Sequence, residues 1–493
     1  MAAVGTQSPS GRLLGIDIRS LAALRITLAA IQLGYLYQRF GELKLFLTDQ
    51  GVLPATLLRE SIYGTSTLWS LYFMDGSFAW AVVVWSLHVM AAAAMLVGWR
   101  THWAILVCLV AAWSMQVRNP FILTAGDVML RMALVWLLWL PCHRWLSLDA
   151  RRLGPNQQTA TVVVSWGTMG IMTQLACMYF FAGLAKWNEY WWSGQATEMA
   201  LQLEIHVTTW GERLLDWPTA LAWATWGTLA IELAVPLLLW SPWKTGLVRL
   251  LAAALFIALH LGVWLTFSVG WLSLIAISVW LIFVPGRCWD RLGLPLHSAG
   301  TGPFEKTPRG SIVTRLRLLS AAALWSAVLI LNIMSFFPAA QRTSWGQAIS
   351  RVGNALMITQ EFRMFGTPPL VSPTFVYSGQ TRGGQTVDPF RQITAPTAAP
   401  AHRPYDQMAS HAWRRWHWHL VDQPYIQLSD NEIATIKRLR DRLLTVIVES
   451  YNAQQAEQDQ LVSAQLTCNH RPIRAPHDPS LPSTQQIWAH WSQ

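Results

Sequence analysis

The chain has 493 residues, of which 53% are hydrophobic and only 13% charged, with 30 tryptophans and a net charge of +10. A soluble domain carries about 25% charged residues, so the deficit excludes an ordinary soluble fold and predicts a polytopic membrane protein with tryptophans at its interfaces. Nucleic acid is excluded as a partner because the cations are scattered among short loops, and Cys108, Cys142, Cys177, Cys288 and Cys468 show no ligand spacing, so no metal is expected.

Nine apolar spans are predicted in chain order, at roughly 21–39, 78–97, 102–117, 127–146, 160–183, 218–240, 249–267, 270–285 and 315–337. The first carries Arg25 and lacks a small-residue cleavage site, so it reads as a span and not as a cleaved signal. Lysine and arginine crowd the loops on the N-terminal side of this arrangement, which places the N-terminus in the cytoplasm and both Lys186 and the C-terminal tail on the opposite side.

The segment 286–314 is rich in Gly, Pro and Arg and reads as a cytoplasmic loop. In the tail, 371–396 alternates β-prone runs with Gly-rich turns. Residues 430–455 place apolar side chains three and four apart, an amphipathic helix with Asp430 or Ser429 as N-cap. Residues 397–404 and 470–483 read as loops. WRRWHWHL (413–420) reads as an interfacial basic-aromatic segment, since His417 and His419 lack a partner set with metal-ligand spacing. The expected fold is an all-α membrane bundle of about nine transmembrane helices with a small extramembrane α+β domain. It divides into 15–290, a cytoplasmic loop and last helix over 291–337, and a non-cytoplasmic domain over 338–493.

Ionisable groups at bilayer depth are costly and usually face the bundle interior. Asp127 and Arg131, four residues apart in GDVMLR, are expected to form a structural pair, with Asp127 at a helix N-terminus. His88 reads as a core histidine bonded to a carbonyl. Glu232, four residues before Pro236, must be protonated or paired. Its two readings are a partner for Arg25 or Arg131, and a place in a site. His260 precedes the small segment Ser268-Val269-Gly270. Lys186 follows Ala182-Gly183, a small pair that lets another helix approach closely. It reads either as a snorkelling anchor or as a desolvated base shielded by Trp187, Tyr190, Trp191 and Trp192. The candidate site is therefore Lys186 and His260, with Trp187, Trp191, Glu232 and Ser268 lining its pocket.

Several blocks occur together in order: IDIRSLAALRI (16–26), TDQGVLP (48–54), RNPFILTAGDVMLR (118–131), WLSLDA (145–150), YFFAGLAKWNEYWWSG (179–194) and HLGVWLTFSVGW (260–271). In these the chain resembles the vitamin K-dependent γ-carboxylase-like family, whose membrane part is the HTTM domain, over about residues 15–290. EFRMFGTPP (361–369) resembles the segment after the last span in bacterial members, which implies a bacterial inner membrane with the C-terminal domain in the periplasm. The resemblance implies that Lys186, in the pattern A-G-x-x-K-x-x-x-x-W formed by Ala182, Gly183, Lys186 and Trp191, is the base that deprotonates a reduced quinone of the vitamin K or menaquinol type. It also implies a functional role for His260, which heads H-x-x-x-x-x-x-F-S-x-G. His143 before Trp145 and Ser147 is a loose match and is not carried over. The chemistry implied is quinol oxygenation coupled to γ-proton abstraction and carboxylation. The C-terminal tail is too short to contain the whole luminal region of the animal enzyme. The implied activity is a quinol-dependent oxygenase, epoxidase or carboxylase acting beside membrane lipid, on a secreted peptide or protein if it carboxylates. The alternative is a non-catalytic membrane partner for maturation or export of a secreted peptide.

Overall fold

The computed structural model describes residues 13–61, 63, 69–152, 161–294, 312–337, 343–356, 358, 366–394, 408, 410–421, 429–473 and 483–493. The expected loop 397–404, most of 286–314 and of 470–483, and the 361–365 portion of EFRMFGTPP lie outside the described residues.

A helix stands at each of the nine apolar stretches: α1 Ile18–Phe40, α2 Phe78–Val97, α3 Thr101–Arg118, α4 Ala125–Leu137, α5 Trp166–Ala185, α6 Pro218–Leu238, α7 Thr245–Thr266, α8 Leu272–Trp280 and α9 Ile312–Phe336. Among the described residues only five of them, α1, α2, α5, α6 and α7, are both long and apolar enough to cross a membrane. Five of the nine expected crossings are thus supported by length and composition. The 13 residues of α4 reach only about 20 Å at 1.5 Å each, against a hydrocarbon core about 30 Å thick. Its chain turns away before Pro141, which has no N–H with which to continue a helix. The 9 residues of α8 run into a 3-10 turn over Leu281–Phe283 ahead of Pro285.

Local chemistry sets the boundaries. Ser77 caps α2 by accepting from Trp80 N, and Gly98 ends it with φ 68°, the left-handed conformation glycine adopts without steric cost. Capping boxes start α4 (Thr124 with Asp127) and α5 (Ser165 with Thr168). At one end of the bundle Arg19 bonds to Asp17 at 3.0 Å and to Asp290 at 2.6 Å, and Arg249 Nη1 donates to Gly15 O at 3.0 Å. Arg25 is buried there and donates to Met95 O at 3.4 Å.

The opposite end carries the C-terminal domain. Four antiparallel strands, β1 Val371–Thr381, β2 Thr386–Val387, β3 Leu461–Pro472 and β4 Thr484–Ser492, lie in the order β2-β1-β3-β4, with Phe375 opposite Cys468 and Leu466 opposite Ala489. The amphipathic segment forms a helix over Asp430–Asn452 capped by Ser429, and its Arg440 lies 4.0 Å from the Trp488 ring. The sheet therefore extends beyond the expected 371–396, because β3 and β4 complete it.

WRRWHWHL forms a helix over His411–Leu420 that is wedged between sheet and bundle. Trp413, Trp416 and His417 are buried, with Trp413 4.7 Å from Phe46 and Trp416 5.2 Å from Phe121. The interfacial reading of this segment is corrected: its aromatic stripe finds an apolar protein surface, and its arginines bond to carbonyls, Arg414 to Ile205 and Arg415 to Leu123.

Candidate functional site

Lys186 caps the end of α5 and is buried, with 3% of its surface exposed. Its side chain turns back along the helix, as long helical side chains do, so that Nζ donates to Ala182 O at 3.3 Å. Nζ lies 2.7 Å from Glu232 Oε2 on α6 and 5.3 Å from the centre of the Trp191 ring. Gly183 makes this pairing possible. A Cβ there would stand 2.9 Å from Leu233 Cδ2 and 3.2 Å from Glu232 Cβ, so α6 packs directly on the glycine face. Of the two readings of Glu232, the structure realises neither the Arg25 nor the Arg131 partnership; the carboxylate meets Lys186.

His260 is buried on α7, and its Nε2 lies 2.7 Å from the Tyr179 hydroxyl. Its Nδ1 has no hydrogen-bond partner among the described residues. Tyr179 is held against Phe256 at 4.2 Å, and Phe256 stacks on Trp280 at 4.2 Å. These aromatic contacts fix the hydroxyl that meets the histidine.

Lys186, Trp191, Glu232, Tyr179 and His260 line one cavity of about 440 Å³, whose remaining wall is largely apolar and drawn from α4, α5, α6, α7 and the start of α8. The volume is in the range of small-molecule sites, and a few polar groups converging in an apolar cleft are the usual composition of such a site. One end is covered by the C-terminal domain's leading segment. Gly366 O accepts from Asn188 Nδ2 at 2.7 Å and Trp191 Nε1 at 3.0 Å, and Pro368 lines the cavity.

Two expected lining residues stand elsewhere. Trp187 is 61% exposed and meets Trp192 edge-on at 4.3 Å, because the helix ends two residues before it and the chain turns outward. Ser268 donates its backbone N–H to His206 O at 2.6 Å and does not contribute to the cavity wall. Asp127 and Arg131 lie on one face of α4 with separate strong hydrogen bonds. The carboxylate accepts from Thr124 N at 2.8 Å and Thr124 Oγ1 at 2.7 Å, whereas the guanidinium donates to Gln116 Oε1 and lies 4.9 Å from the Trp113 ring. His88 is buried and bonds to a carbonyl as expected, that of the Gln32 side chain, at 3.1 Å.

Tyr179 and Pro368 are the functional residues that sequence reasoning missed. Tyr179 had a signal: it precedes Ala182 by three residues and Lys186 by seven, which places all three on one helix face. Pro368 had none, since its position depends on how the tail docks.

The HTTM domain model matches residues 66–287. No curated protein and no solved structure matches the chain. The matched region holds Lys186, Glu232, Tyr179 and His260 together with four of the five membrane-length helices, and the chain is a membrane protein that carries an HTTM domain.

Proposed function

We propose that the protein is a membrane enzyme of the vitamin K-dependent carboxylase type, which binds a reduced quinone in this cavity and uses Lys186 as its proton acceptor. The observation that carries this reading is the buried Lys186–Glu232 pair on the wall of an apolar cavity shared with His260. The apolar wall fits a hydrocarbon-substituted ring, and the two polar stations, Lys186–Glu232 and Tyr179–His260, fit its two oxygens. A bound reduced quinone supplies a weakly acidic aromatic hydroxyl and reducing electrons.

The pair is suited to taking that proton. With the shared proton on Glu232, Lys186 is a neutral amine able to accept, and the pair carries no net charge. Accepting one more proton makes the pair cationic, which offsets the negative charge left on the donating oxygen. In a dry site that electrostatic balance is worth far more than in water. Trp191 and Pro368 limit the entry of water. Arginine cannot serve at position 186, because a guanidinium stays protonated. His260, anchored through Nε2 by Tyr179, is the second polar group of the wall.

The test is epoxide formation from menaquinol by the purified protein in lipid nanodiscs, under oxygen and carbon dioxide. Lys186→Ala and Lys186→Arg are expected to lower it by about 10²–10⁴-fold, the usual contribution of a positioned base, in preparations whose folding is verified separately. Absence of turnover in the folded wild type, or full turnover in Lys186→Arg, overturns the reading. We further place the N-terminus in the cytoplasm and the tail in the periplasm of a bacterial inner membrane. A phosphatase fused after Gln493 should then be active, and an inactive, folded fusion would reverse that orientation.

A further inference from the structure

Two glycines of the cavity wall have no packing reason to be glycine. Gly227 on α6 and Gly262 on α7 both line the cavity, and a Cβ built on either meets nothing within 4 Å. Gly126 and Gly183 differ: a Cβ would stand 2.8 Å from Leu272 Cα at the first and 2.9 Å from Leu233 Cδ2 at the second. Small residues in membrane helices usually let backbones touch. At 227 and 262 they leave a gap between the helices.

That gap reaches the outside of the bundle. Ala224, Ala258 and Gly262 line the cavity and are exposed at the same time. Their neighbours on the outer faces, Trp223, Leu255, Leu261 and Leu265, are between 44% and 68% exposed, an apolar surface of the kind a bilayer covers. At the other end the segment carrying Gly366 and Pro368 is hydrogen-bonded across the mouth. The cavity is thus capped toward the C-terminal domain and open toward lipid.

We propose that the gap between α6 and α7 is a lateral portal that admits the hydrocarbon tail of a membrane-dissolved lipid into the cavity. The portal itself follows from the helix geometry; that the head group is a reduced quinone rests on the proposed function. A tail of the acyl or isoprenoid class fits, because the portal surface is made of Ala, Gly and aliphatic side chains with Thr228 and Thr266 as its hydroxyl-bearing members. The polar head then lies at the Lys186 and His260 end, and the tail passes out between Gly227 and Gly262 into the bilayer.

The test uses the full chain in phosphatidylcholine liposomes doped with a phospholipid bearing a diazirine in its acyl chain. After irradiation, crosslinks are mapped by peptide mass spectrometry. Crosslinks are expected on inward residues such as Ile231 and Met178 as well as on outward residues such as Leu255 and Leu261. The double variant Gly227→Phe/Gly262→Phe fills the gap and should lose the inward crosslinks at least tenfold while keeping the outward ones. Gly262→Ala, whose added methyl meets open space, should keep both and serves where the bulky variant fails to fold. Absence of inward crosslinks in the wild type, their persistence in the folded double variant, or their loss in Gly262→Ala overturns the portal. Added menaquinol should compete for the inward sites, whereas a tail-less naphthohydroquinone should not. Portal-dependent crosslinks without competition by menaquinol would leave the portal standing and remove the quinone reading.

Discussion

At the scale of single residues, the Lys186–Glu232 contact decides how the site behaves. Both side chains are buried, so removal of one strands the other in a low-dielectric wall. Breaking such a pair costs about 3–5 kcal/mol, whereas replacing both members by apolar groups is often close to neutral. Glu232→Leu is therefore expected to lower the thermal midpoint of the solubilised protein substantially. The double variant Lys186→Met/Glu232→Leu should recover most of the loss. Scanning calorimetry or nanoscale fluorimetry of the four proteins closes the cycle, and simple additivity would show that the two groups do not interact. The chemistry of this site was legible in the sequence one residue at a time. Lys186 stands after Ala182-Gly183, and Glu232 is an acid in an apolar run. Their partnership was not legible, because 46 positions separate them and only the packing of α6 on Gly183 brings them together. Trp187 and Trp191 show the same limit. They look alike in WNEYWW, yet the chain reverses between them, so one faces out and the other covers the lysine.

At the scale of elements, the start of α4 shows how a local rule can yield a different partner from the expected one. GDVMLR presents an acid and an arginine at i,i+4, but TAGD presents Thr124 three residues before Asp127, which is the spacing of a capping box. The structure forms the box, with reciprocal bonds between Thr124 and Asp127. Thr124→Ala and Asp127→Ala are each expected to destabilise the protein by about 1 kcal/mol, and the double variant by little more than one of them. Asp127→Ala and Arg131→Ala should couple more weakly, through charge alone, since their strong hydrogen bonds go to different partners. Thermal shifts of these five proteins test both statements, and coupling between Asp127 and Arg131 that exceeds the coupling to Thr124 would restore the ion-pair reading. Helix positions were readable because a 3.6-residue period and apolar runs are local signals; helix lengths were less so, since α4 and α8 stop at 13 and 9 residues and owe their burial to neighbours. The strands β3 and β4 were missed for a related reason. Their pairing is long-range, and Thr484–Ser492 is mostly exposed and carries little of the alternation that marks a strand.

At the scale of the whole molecule, the C-terminal domain is seated on the bundle through a set of buried histidines, and this makes its docking sensitive to acid. His417 donates from Nδ1 to Trp413 O at 2.7 Å, so its Nε2 accepts from the Tyr377 hydroxyl, also at 2.7 Å. His419 Nε2 accepts from Arg415 at 2.8 Å, which leaves Nδ1 to meet Tyr63 at 3.1 Å. His206 and His411 lie 5.7 Å apart, ring to ring, across the same junction. The His419 pattern requires a neutral ring, because Arg415 can only donate, and burial disfavours the charged form of the other three rings. Burial holds His417 down at about 4, and burial followed by the charges of Arg415 and Arg414 holds His206 at about 3. His411 and His419 are held well below the usual histidine value by burial first and by nearby cationic groups, Arg415 among them, second. The folded rings therefore resist protons that the unfolded rings accept below about pH 6.5. Stability is full above that value and falls as the pH drops from about 6.5 toward 4, because the unfolded state binds more protons throughout that window. Between pH 7 and pH 5 the loss is about 1–2 kcal/mol for each of His206 and His417 if both stay buried until unfolding. The thermal midpoint in detergent should fall over this range, and limited proteolysis should release the C-terminal domain sooner at pH 5 than at pH 7. His417→Gln, which can donate to Trp413 O or accept from Tyr377 but carries no titratable group, should flatten the dependence while lowering stability at pH 7. A midpoint that stays constant from pH 7 to pH 5 would mean that these rings take up protons while docked, and the bonding pattern assigned to His417 and His419 would have to be abandoned.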